Sequence, residues 1–161
     1  MQRTLVNIPI SEYADIRPPK NALNETERLS LLAKIPEKAR RERQERLTKF
    51  GLDAPDVYGA VHVYRKTILE MDKALINSNW IGGDSFSLAD ACLAPYLQTI
   101  MQFGWMEMLD GSPRVSNWFQ QCRNRDSYQI SVADDFSPDV QKDLLEIGGN
   151  AWDIIQRHLK N

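Results

Sequence analysis

The strongest periodic signal in the chain runs from Val57 to Leu75. Val57, Val61, Tyr64, Ile68, Met71 and Leu75 recur at alternating spacings of four and three, which lays one apolar stripe along a long helix. Asp53 precedes it as a candidate N-cap, with Pro55 in the first turn, and the helix is expected to end near Asn77. The next segment has a different pattern. From Trp80 to Tyr96 the chain reads W-I-G-G-D-S-F-S-L-A-D-A-C-L-A-P-Y. Ser87 offers a hydroxyl to the first-turn N–H groups, and Asp90, three positions on, can reach back to the N–H of Ser87. That pairing predicts a capping box with Asp in place of Glu. Phe86 is placed to pack on Ala91 or its neighbours as a hydrophobic staple. Leu88, Ala89, Ala91, Cys92, Leu93 and Ala94 leave almost no polar face, so the pattern predicts a central helix, covered all round, to about Met101. Pro95 falls inside it and removes one backbone hydrogen bond, at a cost of about 3 kcal/mol, with a kink expected.

The flanking segments are helical in pattern too. Asn24 and Glu27 form a second capping box, ahead of Leu29, Leu31 and Leu32. Pro36 is read as opening a third helix that closes at Gly51. Between Lys34 and Lys49 this segment carries Lys34, Lys38, Arg40, Arg41, Arg43, Arg46 and Lys49 against Glu37, Glu42 and Glu45. The preferred reading is a solvated helix with pairs such as Glu42–Arg46; the other is a surface for an anionic ligand or acidic partner. Ser112 and Pro113 start a helix whose inner face is Val115, Trp118, Phe119 and Cys122. Ser137 and Pro138 start another with Leu144, Leu145 and Ile147, broken at Gly148 and Gly149. A last amphipathic helix holds Trp152, Ile154, Ile155 and Leu159. This tail would act as a lid over a pocket or pack as an extra surface helix. Residues 1–22 suggest a broken helix stopped by Pro18 and Pro19. No strand-like alternation, repeat or low-complexity segment occurs, and the expected fold class is all-α, a helical bundle.

Composition narrows the function classes. At 161 residues, 42% hydrophobic and 26% charged, the chain fits one ordered domain, and no apolar run approaches the roughly 20 residues of a membrane helix. A net charge of −2 gives no reason to expect nucleic acid as a partner. No signal-peptide pattern opens the chain, and two cysteines at helical core positions suit a reducing, cytoplasmic setting. Cys92 and Cys122 are read as buried, inert thiols. His62 lies beside the stripe with no second ligand at metal spacing, so no metal site is expected. There is no phosphate loop and no Cys-x-x-Cys, and no residue set forms a self-sufficient catalytic centre.

The loop and helix carried by Trp80, Ile81, Gly83, Asp84, Ser87, Asp90 and Pro95 resemble the core of the helical C-terminal domain of glutathione transferases. The run P-R-V-S-N-W-F-Q-Q-C-R-N-R-D-S-Y resembles that family's late helix, with Asp126 where the family usually has Pro. The resemblance implies a family-like core over 1–128 and a helical extension over 129–161 within one domain. It also implies glutathione as co-substrate, a hydrophobic electrophile or other apolar small molecule as ligand, and a homodimer. In that family a thioredoxin-like domain supplies the thiol-activating residue, so no catalytic residue is expected in this chain, which alone would be inactive. Conjugation, or glutathione-dependent dehalogenation or ether cleavage, would belong to the longer protein. Tyr13 and Arg17 match the end of the first helix of the family's helical domain. With Tyr96 and Trp105, placed after the kink, they are the pocket candidates; Ser87 and Asp90 are structural. Two other functions stand beside this one. The first is a non-catalytic interaction module using the basic helix Lys34–Lys49. The second is a stand-alone protein binding an apolar molecule beneath its C-terminal helices.

Overall fold

The structure, a computed structural model, describes residues 24–133 and 137–160. Its helices are α1 (Glu25–Ala33), α2 (Lys38–Phe50), α3 (Pro55–Ala74), α4 (Leu88–Gln102), α5 (Pro113–Arg123), a short α6 (Asp126–Tyr128) and α7 (Pro138–Lys160). Two 3-10 turns, Gly51–Asp53 and Met106–Leu109, and a π turn, Gln129–Ala133, complete them. Among the described residues there is no strand; one antiparallel bridge joins Trp80 to Gly83, whose φ of +123° suits glycine. The fold class is all-α. The broken helix expected over residues 1–22 lies outside the described residues. The chain divides into two compact units, Met1–Asp56 and Val57–Asn161, with the boundary in the first turn of α3.

In the first unit, the amide oxygen of Asn24 accepts from the N–H of Glu27 at 2.9 Å, and the Glu27 carboxylate accepts from the N–H of Asn24 at 3.0 Å. The second helix starts two residues later than Pro36 suggested. Glu37 is its extended N-cap, and Arg41 donates to the carbonyl of Ile35 at 3.1 Å, which holds the segment ahead of the helix. It ends at Gly51, φ +58°. No residue of α2 is buried. Arg46 does not pair with Glu42. It forks onto Asp56 with bonds of 2.7 and 2.8 Å, which hold the Asp56 carboxyl below its ordinary value. Glu42 faces Lys38 instead, at 3.7 Å.

The second unit is built on the stripe of α3. Val61, Ile68, Met71 and Leu75 are buried, and Val57 and Tyr64 pack against the same core. Facing them are Ala94, Leu97 and Ile100 of α4 and Val115, Trp118, Phe119 and Cys122 of α5, with Ile155 of α7. Each large side chain removed from water here contributes roughly 1.5–3 kcal/mol. Arg65 on α3 pins the Met106–Leu109 turn by donating to the carbonyls of Met108 and Asp110, at 3.2 and 3.3 Å.

Two buried carboxylates join these helices at their ends. Asp90, fully buried, closes the capping box of α4. Its Oδ2 accepts from the N–H and hydroxyl of Ser87 at 2.8 and 2.6 Å; its Oδ1 accepts from the N–H of Ile81 at 2.8 Å and from Trp118 Nε1 at 2.7 Å. Burial alone would raise the Asp90 pKa, but these donors outweigh it and hold the carboxyl below its ordinary value. Asp72, on α3, does the equivalent for α5. Its Oδ1 accepts from the N–H groups of Arg114 and Val115 at 3.0 and 3.4 Å, and its Oδ2 lies 2.6 Å from the Arg114 guanidinium. Asp72 therefore caps the helix that Ser112 was expected to start; among the described residues the buried Ser112 hydroxyl has no hydrogen-bond partner.

The C-terminal segment is one helix, not two. Gly148 and Gly149 do not break α7. A Cβ on Gly148 would stand 2.0 Å from the carbonyl oxygen of Phe103, so glycine here permits the helix to lie directly on the chain after α4. Trp105 Nε1 donates to the Gly148 carbonyl at 2.9 Å and locks that crossing. Nothing lies within 4 Å of the equivalent point on Gly149.

Gly148→Ala should destabilise the fold by about 1–3 kcal/mol through overpacking against backbone, whereas Gly149→Ala should add about 0.5–1 kcal/mol. Urea titration of the two variants checks this, and equal effects would remove the close-approach role of Gly148. Asp90→Asn places an amide against the donors of Ser87 and should cost about 2 kcal/mol or more at neutral pH. Because the folded-state pKa is depressed, the contribution of Asp90 is complete above the unfolded carboxyl range, near pH 4, and is lost as pH falls through the folded value. Melting curves of wild type and Asp90→Asn should therefore converge on acidification.

Candidate functional site

The helix α4 is not covered all round. Asp90, Ala94, Leu97, Gln98 and Ile100 are buried, but Leu88 is 79% exposed and Tyr96 58% exposed, and Cys92 is exposed between them. The apolar residues that suggested a fully enclosed helix are thus divided between a core face and an open face. Cys92, expected to be buried, is on the open one. Cys122 is in the core, where burial pushes its thiol up to about 12, so it stays protonated and unreactive.

Between the open face of α4 and the neighbouring face of α3 lies a groove of about 260 Å³. Val63, Tyr64, Thr67, Ile68 and Met71 form the α3 wall; Leu93, Tyr96 and Leu97 form the α4 wall. The rings of Tyr64 and Tyr96 meet edge to face, with centroids 6.3 Å apart. Burial, with the neighbouring Tyr96, raises the Tyr64 pKa, so its hydroxyl is a neutral hydrogen-bond donor at physiological pH. Among the described residues, no wall residue carries a formal charge. The groove can hold an apolar body and offer hydroxyls to a polar end.

The four residues picked from sequence as pocket candidates divide as follows. Tyr96 lines the groove. Trp105 stands elsewhere, stacked on Phe103 at 4.8 Å and bonded to Gly148, where it docks α7. Tyr13 and Arg17 lie outside the described residues. Sequence reading placed Tyr64 in the core stripe; its partial burial and its partner Tyr96 make it a groove residue as well. The signal available was only that it is the one stripe position with a polar tip. His62 packs on Tyr58 at 4.2 Å, and among the described residues no cluster could hold a metal ion.

Residues 53–126, covering α3 to the start of α6, match the family described as glutathione S-transferase, C-terminal domain. This segment is similar to the C-terminal domain of glutathione S-transferases. No curated protein and no solved structure matches the chain. Ser87 and Asp90 lie in the matched segment and act at the helix start, at the opposite end of α4 from its C-terminal contact with α7. The groove residues also lie inside the matched segment; α1, α2 and α7 lie outside it. Among the described residues no helix is long and apolar enough to cross a membrane.

The different placements of the two aromatic candidates give separable outcomes. Tyr96→Ala, at an exposed position, should leave stability within about 0.5 kcal/mol of wild type. Trp105→Phe should cost about 1 kcal/mol by removing the bond to Gly148. Thermal melts of both decide it; a large loss from Tyr96→Ala would make that residue a packing element.

Proposed function

We propose that the chain is the electrophile-binding helical domain of a glutathione transferase-like protein and is not catalytic alone. The observation that carries this reading is the uncharged groove between α3 and α4. An apolar electrophile gains roughly 25 cal/mol for each Å² it buries there. The carboxylates of glutathione would meet no cation on these walls, which fits an arrangement in which a thioredoxin-like domain binds the tripeptide and presents its thiolate. In conjugation, dehalogenation or ether cleavage, the sulfur forms a bond to carbon and the leaving group departs with its electron pair. The hydroxyls of Tyr64 and Tyr96 would donate to that developing charge. Holding the electrophile in the groove supplies proximity, and covering it excludes water. The exposed apolar side chains of α4 suit a face that becomes covered in an assembled protein or dimer.

A second reading, a non-catalytic interaction module, is favoured by one observation: α2 buries none of its residues. Arg40 and Arg43 are exposed on it, whereas Arg41 and Arg46 are engaged within the same unit.

Calorimetric titration with glutathione and with S-hexylglutathione tests the first reading. The S-hexyl form should bind, glutathione should give no heat, and Tyr96→Ala should weaken S-hexyl binding roughly tenfold. Silence from both ligands would overturn the electrophile site and leave the interaction module.

A further inference from the structure

Beneath α7 lies a second cavity, of about 270 Å³ and a different chemistry. Gln98, Met101 and Gln102 of α4, Arg123 of α5, Tyr128 of α6 and Leu145 of α7 contribute to its walls. It is separate from the α3–α4 groove and shares no lining residue with it. Its polar groups are fixed. The Tyr128 hydroxyl donates to Gln98 Oε1 at 2.6 Å in a buried bond, and both residues are buried. Burial pushes the Tyr128 phenol up to about 12, so the hydroxyl remains a donor throughout the physiological range. One donor has nothing to bond. Among the described residues, Gln102 Nε2 is buried without a hydrogen-bond partner, an arrangement that costs free energy unless an acceptor arrives.

Charge identifies that acceptor. Among the described residues, Arg123 carries the one formal charge on the cavity wall and no carboxylate lines it. The Arg123 guanidinium leans on the Phe119 ring, 6.0 Å from its centroid, which restricts its position without neutralising it. A cation and an orphan amide donor on the same wall select an anionic acceptor, and a planar carboxylate suits a guanidinium best. Met101 and Leu145 supply an apolar patch in the same cavity. The volume is at the lower end for small-molecule sites, which limits the tail to a few carbons. Water alone would satisfy Gln102 but would leave the apolar patch and the cation without matched partners.

We infer that this cavity is a binding site for a small organic carboxylate with a short apolar tail, its carboxylate held by Arg123 and Gln102 and its tail lying against Met101 and Leu145. Because α7 forms one wall, an occupant joins that helix to α4 and α5. The site is independent of glutathione and of the groove.

The test is a pair of titrations of the full chain, followed by the side-chain amide signals of Gln98 and Gln102 in nitrogen–proton correlation spectra. The probes are 4-methylpentanoate and its neutral amide, 4-methylpentanamide. The acid should shift both signals saturably and raise the melting temperature, with the amide binding far more weakly. Arg123→Gln should weaken the acid roughly tenfold. Gln102→Leu removes the orphan donor, so it should melt at or above the wild-type temperature and yet lose affinity for the acid, which separates loss of the site from loss of the fold. Equal binding of acid and amide would overturn the carboxylate assignment. No saturable change at Gln98 and Gln102 would mean a cavity holding only water. Unchanged acid binding in Arg123→Gln would place the probe elsewhere. Neither probe contains glutathione, so failure here leaves the electrophile groove untouched.

Discussion

A carboxylate with no access to water must find a donor for each of its lone pairs or lose its charge, and that constraint organises the second unit of this protein. Asp90 meets it by drawing in the helix start at Ser87, the loop at Ile81 and the indole of Trp118. Each donor comes from a different piece of chain, so the position of the carboxylate sets where α4 begins, how the loop before it turns and where α5 lies. The bonds are charge-assisted and buried, and removing the acceptor would strand all the donors together. Asp72 repeats the arrangement between α3 and α5. Two acids thus clamp three helices whose apolar faces supply most of the favourable energy but little directional information.

With its start fixed in this way, α4 presents three environments around one axis. Ala94, Leu97 and Ile100 face the core. Tyr96 and Leu93 turn to α3 and form a groove. Gln98 and Gln102, one turn apart, face the polar cavity under α7. The uncharged α3–α4 face suits the apolar ligand proposed for it, whereas the donors under α7 suit the proposed anion. A single helix can serve both because its sides are only about 100° apart in successive residues and its ends are rigidly held.

The C-terminal helix shows how a backbone contact can decide the architecture. With a side chain at Gly148, α7 could not reach Phe103, and the bond from Trp105 to the Gly148 carbonyl would be lost. The polar cavity depends on that crossing, since α7 supplies Leu145 to its wall. The tail is both an extra packed helix and the cover of a cavity, a combination that the two alternatives drawn from sequence kept apart.

The elements were legible where the determinant is local. The capping boxes at Asn24 and Ser87, the stripe from Val57 to Leu75 and the closure at Gly51 are each decided by residues within a few positions of one another, and a linear pattern records such interactions directly. The resemblance carried by Trp80 to Pro95 and by the α5 segment extended this to the fold, because those residues are the clamp itself. What required the tertiary structure was every contact made across sequence. Asp72 caps a helix that begins more than forty residues later, a role no local pattern could assign, so the nearby Ser112 drew it. Gly148 and Gly149 read as a break because helix propensity penalises them and a close approach is invisible in a propensity. Leu88 and Cys92 read as interior because apolar periodicity states which residues avoid water but not how many faces have neighbours. The same limit hid Gln98, Gln102 and Arg123. Their chemistry is ordinary one residue at a time and becomes a site only when three helices bring it around one cavity.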